Sequence, residues 1–165
     1  MIRMGELATS TDPGAVLAAI GLGSCVGLAL IDRGAGVAGL AHIMLPADTG
    51  GSLQPGTFAD TGVPALIERM AARGALRVRL EAVLVGGAQM LGAAGNRLDV
   101  GARNEAATRS ALTRAGVRIV AAETGGTAGR TVRVHVGRGE VSVKEAGGAV
   151  TALWPASPAQ MGAAA

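Results

Sequence analysis

An uncharged stretch of seventeen residues constrains the fold of this chain more than any other feature of its sequence. Residues 15 to 31 contain no acidic or basic side chain, and the turn sequence Arg33-Gly34-Ala35-Gly36 follows directly after Asp32. A second apolar stretch then runs from residue 37 to residue 45. Two such runs around a glycine-containing turn predict a β-hairpin with strands over residues 26–32 and 37–45. Because both strands are apolar on both faces, we expect the hairpin to be buried between two layers.

A membrane-spanning segment is the alternative interpretation of the uncharged stretch. The stretch falls short of the ~20 apolar residues that usually cross a bilayer, and it contains three glycines, a serine and the only cysteine. Glu6 and Asp12 precede it, where a signal peptide would have a compact basic segment and a cleavage site. We therefore expect a buried strand entered through a glycine loop, with no membrane insertion. A single cysteine without a signal peptide predicts a cytoplasmic location.

Length and composition predict a single domain with an aliphatic core. The chain has 165 residues and is 49% hydrophobic, which is typical of a packed globular domain. Phe58 and Trp154 are its only aromatic residues, so the core has to be built from Val, Leu, Ile, Ala and Met. We expect the domain to span residues 1–150 and residues 151–165 to form a flexible C-terminal tail.

The rest of the pattern predicts two helices and four further strands. Asp60 or Thr61 is expected to cap the first helix, which ends at Gly74, and Asn104 is expected to cap the second, which reaches Ala115. Further strands are predicted over residues 80–85, 117–122, 131–136 and 141–145. The resulting order, β-β-α-β-α-β-β-β, predicts an α/β fold in which a mixed sheet forms part of a layered sandwich.

The distribution of charge gives little support to nucleic-acid binding. The formal net charge is +3, and fourteen of the fifteen basic residues are arginines scattered along the chain. The sequence has no basic run and almost no aromatic side chains to stack on bases. A modest positive face is still suited to docking an acidic protein partner.

Cys25 and His42 are the candidate catalytic residues, because a thiol and a nearby imidazole are the minimum parts of a cysteine nucleophile and its base. A turn centred between Gly34 and Ala35 pairs residues whose numbers add up to 69. Cys25 then lies opposite Met44, and His42 lies two residues along on the same face. Diagonal neighbours of this kind are about 7–8 Å apart at Cα. A register shifted by one residue would place the two side chains on opposite faces.

Inert alternatives exist for each of these residues. A lone cysteine is often a small buried hydrophobic residue, and a histidine in an apolar strand is often a satisfied core residue. His135, the other histidine, alternates onto the polar face of its strand and is expected to be exposed. Their placement on one hairpin is what favours a catalytic role for Cys25 and His42.

The residues before Cys25 are suited to stabilising an oxyanion. Gly23 lets backbone amides turn toward a substrate oxygen, and Ser24 adds a hydroxyl group. The chain has neither a phosphate-binding P-loop motif nor a complete dinucleotide fingerprint. One cysteine and two distant histidines supply too few ligands for zinc. We therefore expect neither a cofactor nor a metal.

At these residues the chain resembles the CheD family, the chemoreceptor glutamine deamidases of bacterial chemotaxis. The matching segments occur in family order over about residues 3 to 150. The two most specific ones are Leu22-Gly23-Ser24-Cys25-Val26 and Gly39-Leu40-Ala41-His42-Ile43-Met44-Leu45-Pro46. The others are Phe58-Ala59-Asp60-Thr61, Leu80-Glu81-Ala82, Gly86-Gly87-Ala88-Gln89-Met90, Gly101-Ala102-Arg103-Asn104 and Gly125-Gly126-Thr127.

The resemblance implies a function as well as a fold. The family nucleophile falls on Cys25 and the general base on His42. The implied fold is an α/β sandwich similar to the catalytic domain of bacterial deamidating toxins. The implied substrates are glutamines of methyl-accepting chemoreceptors, and the implied partner is the CheC-type phosphatase. The thiol would form a thioester with the glutamine side chain, which water then hydrolyses to glutamate.

One departure from the family pattern concerns the group that orients the histidine. A family threonine falls on Ala19, or on its neighbour Ile20, and neither side chain forms hydrogen bonds. A backbone carbonyl or another hydroxyl is expected to substitute for it, the candidates being those of Thr9, Thr11 and Thr61. The departure leaves two other functions open. One is a non-catalytic adaptor of the same fold that binds receptors or CheC, and the other is a cysteine hydrolase of a different amide.

Overall fold

The structure, a computed structural model, describes residues 1–50, 54–89 and 99–155. Within these residues the chain forms two helices and nine strands, together with short 3-10 turns at Arg77–Arg79 and Val136–Arg138. In chain order the elements are β1 (Leu7–Ser10), β2 (Val16–Leu22), β3 (Val26–Asp32), β4 (Val37–Ile43), α1 (Ala59–Ala71), β5 (Glu81–Gly86), α2 (Val100–Ala115), β6 (Arg118–Thr124), β7 (Arg130–His135), β8 (Glu140–Glu145) and β9 (Val150–Trp154).

The elements form three layers. A five-stranded sheet of order β1-β4-β3-β5-β6 lies in the middle, mixed because β5 and β6 are parallel while its other neighbours are antiparallel. Side chains of α1 and α2 pack on one face of this sheet in a first apolar core. A second, antiparallel sheet of order β2-β7-β8-β9 covers the other face, and a second apolar core lies between the two sheets. The prediction of an α/β layered sandwich in a single domain is confirmed.

The β3–β4 hairpin is at the centre of this arrangement. Its register pairs Val26 with Ile43, Gly27 with His42 and Asp32 with Val37, so partner numbers add up to 69 as predicted. Both strands are buried along their whole length. Alternate residues contribute to the two cores, because successive side chains of a strand point to opposite faces.

The uncharged stretch of residues 15 to 31 forms two strands, β2 and most of β3. Neither helix of the described residues is long and apolar enough to cross a membrane.

The predicted helix caps are wrong. The N-cap of α1 is Phe58, which makes no side-chain capping bond, while Asp60 lies inside the first turn and accepts a hydrogen bond from the Asp48 backbone. The N-cap of α2 is Asp99, whose carboxylate accepts from the Ala102 N–H at 3.0 Å. Asn104, the predicted cap, lies within the helix and is fully buried. Its side chain donates hydrogen bonds to two backbone carbonyls outside the helix instead.

Strands at the ends of the chain were not predicted. β1 and β2 precede the hairpin, and β9 reaches Trp154, into the residues 151–165 for which the sequence predicts a tail. Residues 156–165 of the expected tail lie outside the described residues. His135 is half-buried rather than exposed, because Ser142 of the neighbouring strand lies 3.4 Å from its Nε2.

The turn of the hairpin is fixed by a buried carboxylate. Asp32 accepts hydrogen bonds from the backbone N–H groups of Ala35 and Leu76 at 3.1 and 2.8 Å. The Arg79 guanidinium donates two further bonds at 2.9 Å. Burial alone would raise the pKa of Asp32, but these hydrogen bonds and the Arg79 charge outweigh it and lower that pKa below its ordinary value.

Candidate active site

Cys25 lies one residue before β3, at the end of the hairpin that is opposite the turn. Its side chain is half-buried and packs against the apolar core between the two sheets. The backbone around it is tied to the segment that follows β5. The Gly87 N–H donates to the Cys25 carbonyl at 2.8 Å, and the Ala88 N–H donates to the Gly23 carbonyl at 2.7 Å. The carbonyl between them, that of Ser24, accepts from the Asn104 side chain at 2.9 Å.

The backbone of Gly86 passes so close to this loop that no other residue fits there. A Cβ at Gly86 would collide with the Cys25 carbonyl oxygen, and its φ of 108° is in the region that favours glycine. Gly101 of α2 packs equally tightly on the Gly87 carbonyl. The loop before β3, the segment after β5 and the first turn of α2 therefore form one closely packed unit.

Three consecutive backbone N–H groups lie beside the thiol and take no part in the bonds that hold this loop. The carbonyls of Gly23, Ser24 and Cys25 all accept hydrogen bonds from this unit. The N–H groups of the same residues donate to no acceptor among the residues that the structure describes. Consecutive unpaired N–H groups beside a nucleophile are the usual construction of an oxyanion hole.

His42 lies near the end of β4, opposite Gly27. It alternates with Ala41 and Ile43, which belong to the helix-side core, so its ring faces the layer between the sheets, like the side chain of Leu40. The N-terminal segment holds its backbone: the Gly5 N–H donates to the His42 carbonyl and the His42 N–H donates to the Glu6 carbonyl, both at 3.0 Å. The residue is 3% exposed.

Both ring nitrogens of His42 are buried without a hydrogen-bond partner among the described residues. The Cys25 sulfur is therefore not hydrogen-bonded to the ring. The structure places the two side chains in the same layer at the same end of the hairpin, but with a gap that a substrate group or a small rearrangement has to close. Catalytic hydrogen bonds are often long before substrate binds.

Burial favours the uncharged form of both side chains. It raises the pKa of the Cys25 thiol above its ordinary value of 9.0. It lowers the pKa of His42 below 6.5, although the Ile2 backbone and the Glu6 carboxylate act in the opposite direction. At neutral pH the pair therefore rests as thiol and neutral imidazole.

Ala19 faces the same layer as His42. It is fully buried in the core between the sheets, whereas Ile20 is 54% exposed, so Ala19 occupies the inward position on β2. The hydroxyls considered as substitutes lie elsewhere. Thr9 packs on the helix side of the first sheet and bonds to Arg73, while Thr11 and Thr61 are exposed. The Ile2 backbone, whose N–H donates to the Ala18 carbonyl at 2.7 Å, favours the charged ring together with the Glu6 carboxylate, although no hydrogen bond joins it to either ring nitrogen.

Asn104 and the N-terminal segment were not predicted as parts of this site. Asn104 donates to the carbonyls of Ser24 and Met44 at 2.9 and 2.7 Å. Its position within the Gly101-Ala102-Arg103-Asn104 motif was the signal in the sequence, but the motif reads equally well as the start of a helix. Among the described residues, no three His, Cys, Asp or Glu side chains are grouped in a way that suits a metal ion.

Comparison with known proteins places these observations in a family. The family model described as CheD chemotactic sensory transduction matches residues 44–145, well over half of the chain. The chain is 44% identical to the probable chemoreceptor glutamine deamidase CheD of Symbiobacterium thermophilum over 151 residues, covering 88% of this chain and 92% of that one. It is 41% identical to the protein of the same name from Methanococcus vannielii, covering 87% and 93%. It is 39% identical to the chemoreceptor glutamine deamidase CheD of Thermotoga maritima, covering 90% and 92%.

Proposed function

Because this chain belongs to the CheD family, we propose that it converts glutamine side chains of methyl-accepting chemoreceptors to glutamate in the cytoplasm. The observation that carries the proposal is the placement of Cys25 and His42 at the same end of one hairpin, beside three backbone N–H groups that have no acceptor among the described residues. We assign Cys25 as the nucleophile, His42 as the general base, and Gly23 and Ser24 as the support for the oxyanion. A relation of the sandwich to the catalytic domain of deamidating toxins is part of the same proposal.

The uncharged resting pair determines the order of the chemical steps. The Cys25 sulfur attacks the glutamine carboxamide carbon while its proton passes to His42, since neither group is ionised beforehand. The oxyanion accepts hydrogen bonds from the N–H groups beside the thiol. His42 returns the proton to the leaving nitrogen, which departs as ammonia and leaves a thioester. Water then gives a proton to His42 and attacks the thioester. The carbon–sulfur bond breaks and His42 returns the proton to the sulfur, which yields glutamate, the free thiol and the neutral imidazole.

The Ile2 carbonyl is the group we assign to orienting His42, through a hydrogen bond that has to form when the ring takes up the thiol proton, since neither ring nitrogen has a partner among the described residues. The Ile2 backbone stabilises the charged ring, which is the form that the base takes during attack. A carbonyl oxygen near the imidazole fixes which nitrogen carries the proton, as a hydroxyl or carboxylate does in other cysteine and serine enzymes. In this chain the N-terminal segment would thereby replace the hydroxyl that Ala19 lacks.

The deciding experiment is a deamidation assay on the purified cytoplasmic fragment of a chemoreceptor, read by intact mass and peptide mapping. We expect the wild type to convert glutamine to glutamate, and Cys25→Ala and Cys25→Ser to do so no faster than an enzyme-free control. Both variants should unfold at the wild-type temperature. Ser142→Ala, which alters a small buried polar residue of the second sheet, serves as the matched control and should stay active. Full activity in Cys25→Ala would contradict the proposal.

A non-catalytic adaptor is the second candidate, and one observation favours it. The ring of His42 has no hydrogen-bond partner among the described residues, and Ala19 supplies none. An adaptor would bind chemoreceptors or a CheC-type phosphatase without deamidating either. It predicts an unchanged receptor mass with the wild type, and binding that survives Cys25→Ala. A hydrolase of another amide would instead leave the receptor unchanged and release ammonia from a different amide substrate.

A further inference from the structure

The hairpin that carries the thiol and the imidazole is not closed at its reactive end by its own backbone. The ladder between β3 and β4 ends at the pair Val26 and Ile43. Beyond it, the Met44 N–H donates to the Thr57 carbonyl at 2.9 Å, so β4 has already parted from β3 where Cys25 lies. Hydrogen bonds within the hairpin therefore do not fix the distance between the Cys25 loop and the end of β4.

One side chain bridges that open end. The Asn104 amide nitrogen donates to the Ser24 carbonyl at 2.9 Å and to the Met44 carbonyl at 2.7 Å. Ser24 directly precedes the thiol residue, and Met44 lies two residues after His42. A primary amide has two N–H donors on one nitrogen, so a single group can hold two carbonyls at a fixed separation. A carboxylate of the same shape has no donor and would repel both.

Asn104 is itself firmly placed. It is fully buried in α2, one turn after the Asp99 cap. The same helix packs through Gly101 on Gly87, whose N–H holds the Cys25 carbonyl. The amide oxygen of Asn104 is buried without a partner among the described residues. An unpaired buried oxygen lowers stability, so packing alone does not explain an asparagine here.

We propose that Asn104 is a positioning residue whose two N–H bonds, to the Ser24 and Met44 carbonyls, set the separation between the Cys25 thiol and the His42 ring. The proposal rests on the proposed function, because it assigns to those two residues the proton transfer that the separation controls. Asn104 does not touch the reacting atoms. Without it the two chain ends move apart and the thiol loses its base.

The test uses Asn104→Asp, which keeps the shape and removes both donors, and Asn104→Leu, which has a similar shape and no polar atoms. Thr108→Val, one turn further along the same helix, is the matched control for altered packing. For each protein we would measure urea unfolding, kcat and KM on the receptor fragment, and the rate of Cys25 alkylation by iodoacetamide between pH 6 and pH 10. The alkylation rate needs no substrate, so it remains informative if the receptor is not deamidated.

We expect kcat to fall at least tenfold in a folded Asn104 variant, with KM changed less than twofold. Alkylation at pH 7.5 should slow at least threefold, and its pH profile should move toward that of His42→Ala. Thr108→Val should keep the wild-type profile. A folded Asn104 variant with wild-type kcat and alkylation profile would overturn the proposal. So would an equal loss in Thr108→Val, or a failure of both Asn104 variants to fold, since Asn104 would then serve the fold alone. If the wild type itself does not deamidate the receptor, but the Asn104 variants still slow the alkylation of Cys25, the result would count against the proposed function only.

Discussion

His42 is the residue at which geometry and electrostatics act most directly on the chemistry. It is the group that we propose accepts the Cys25 proton, and its ring faces the same inter-sheet layer as the thiol. We expect His42→Ala to reduce kcat by a factor on the order of 10² or more. It should also slow alkylation of Cys25 at neutral pH, because without the imidazole a smaller fraction of the thiol is ionised to the reactive thiolate.

The other histidine supplies the control for that change. His135 lies on β7 and contacts Ser142 in the second sheet. His135→Ala should leave kcat and the alkylation rate at wild-type values. An alkylation rate that His42→Ala leaves unchanged would mean that the thiol and the ring do not interact.

Ala19 tests whether this chain needs the missing hydroxyl. If the Ile2 carbonyl orients His42, the Ala19→Thr hydroxyl has no catalytic role. The substitution then only adds a hydroxyl and a methyl group to a filled core. We then expect kcat to stay equal or fall slightly, and the free energy of unfolding to fall by about 1–3 kcal/mol. Kinetic assays and urea unfolding measure the two effects separately. A clear rise in kcat at unchanged KM would show instead that His42 is poorly oriented in the wild type.

At the scale of elements, the Cys25 loop is positioned by the last residue of β5 as well as by the hairpin register. Gly86→Ala places a methyl group against the Cys25 carbonyl at a positive φ. We expect it to cost more than the about 1–2 kcal/mol that left-handed backbone alone costs a non-glycine residue, and to reduce the alkylation rate of Cys25.

Gly74→Ala is the matched control for Gly86→Ala. Gly74 has a φ of 94°, and a Cβ there would meet nothing within 4 Å. It should therefore show the backbone cost alone, with deamidation unchanged per folded molecule. Equal loss of stability in the two variants, with normal alkylation, would mean that the contact between Gly86 and Cys25 is unimportant.

The elements also show what the sequence could and could not predict. The β3–β4 register followed from the position of the turn residues, whereas apolar patterning did not restrict it, because both faces of both strands are buried. β1 and β2 could not be predicted, since each is partly exposed and pairs with a strand distant in sequence. β9 pairs with its neighbour β8, but it too is partly exposed and lies in a segment rich in alanine and glycine. The placement of Cys25 and His42 on one face was predictable, but Asn104 was not. Its bonds span 80 and 60 residues, and no local pattern encodes such contacts.

At the scale of the whole molecule, the central hairpin has a stabilising end and a reactive end. Asp32, at the turn, holds Ala35, Leu76 and Arg79, while Cys25 and His42 lie at the opposite end. We expect Asp32→Asn to lower the free energy of unfolding by about 2 kcal/mol at pH 7, with kcat per folded molecule unchanged. A reduced kcat in folded Asp32→Asn would contradict this separation.

The effect of Asp32 should depend on pH in a known direction. Its pKa is lower in the folded than in the unfolded chain, so its contribution is fully present above the ordinary value of 3.8 and is lost as pH falls through the folded value. The stabilities of wild type and Asp32→Asn should therefore begin to converge as pH falls below 3.8 and should meet only below the folded-state pKa of Asp32. Glu140→Gln, which breaks the exposed pair with Arg138, should change stability by less than about 1 kcal/mol at every pH.

The amide bridge from Asn104 has a consequence for the order in which the protein becomes functional during synthesis. The nascent chain emerges from the ribosome N-terminus first, so residues 24 to 44 emerge long before residue 104. The hairpin is closed by local contacts and can form early, while the bonds to Ser24 and Met44 wait for α2. An unfinished chain would thus carry its only thiol without the arrangement that directs it, and reactivity would arrive together with the completed fold.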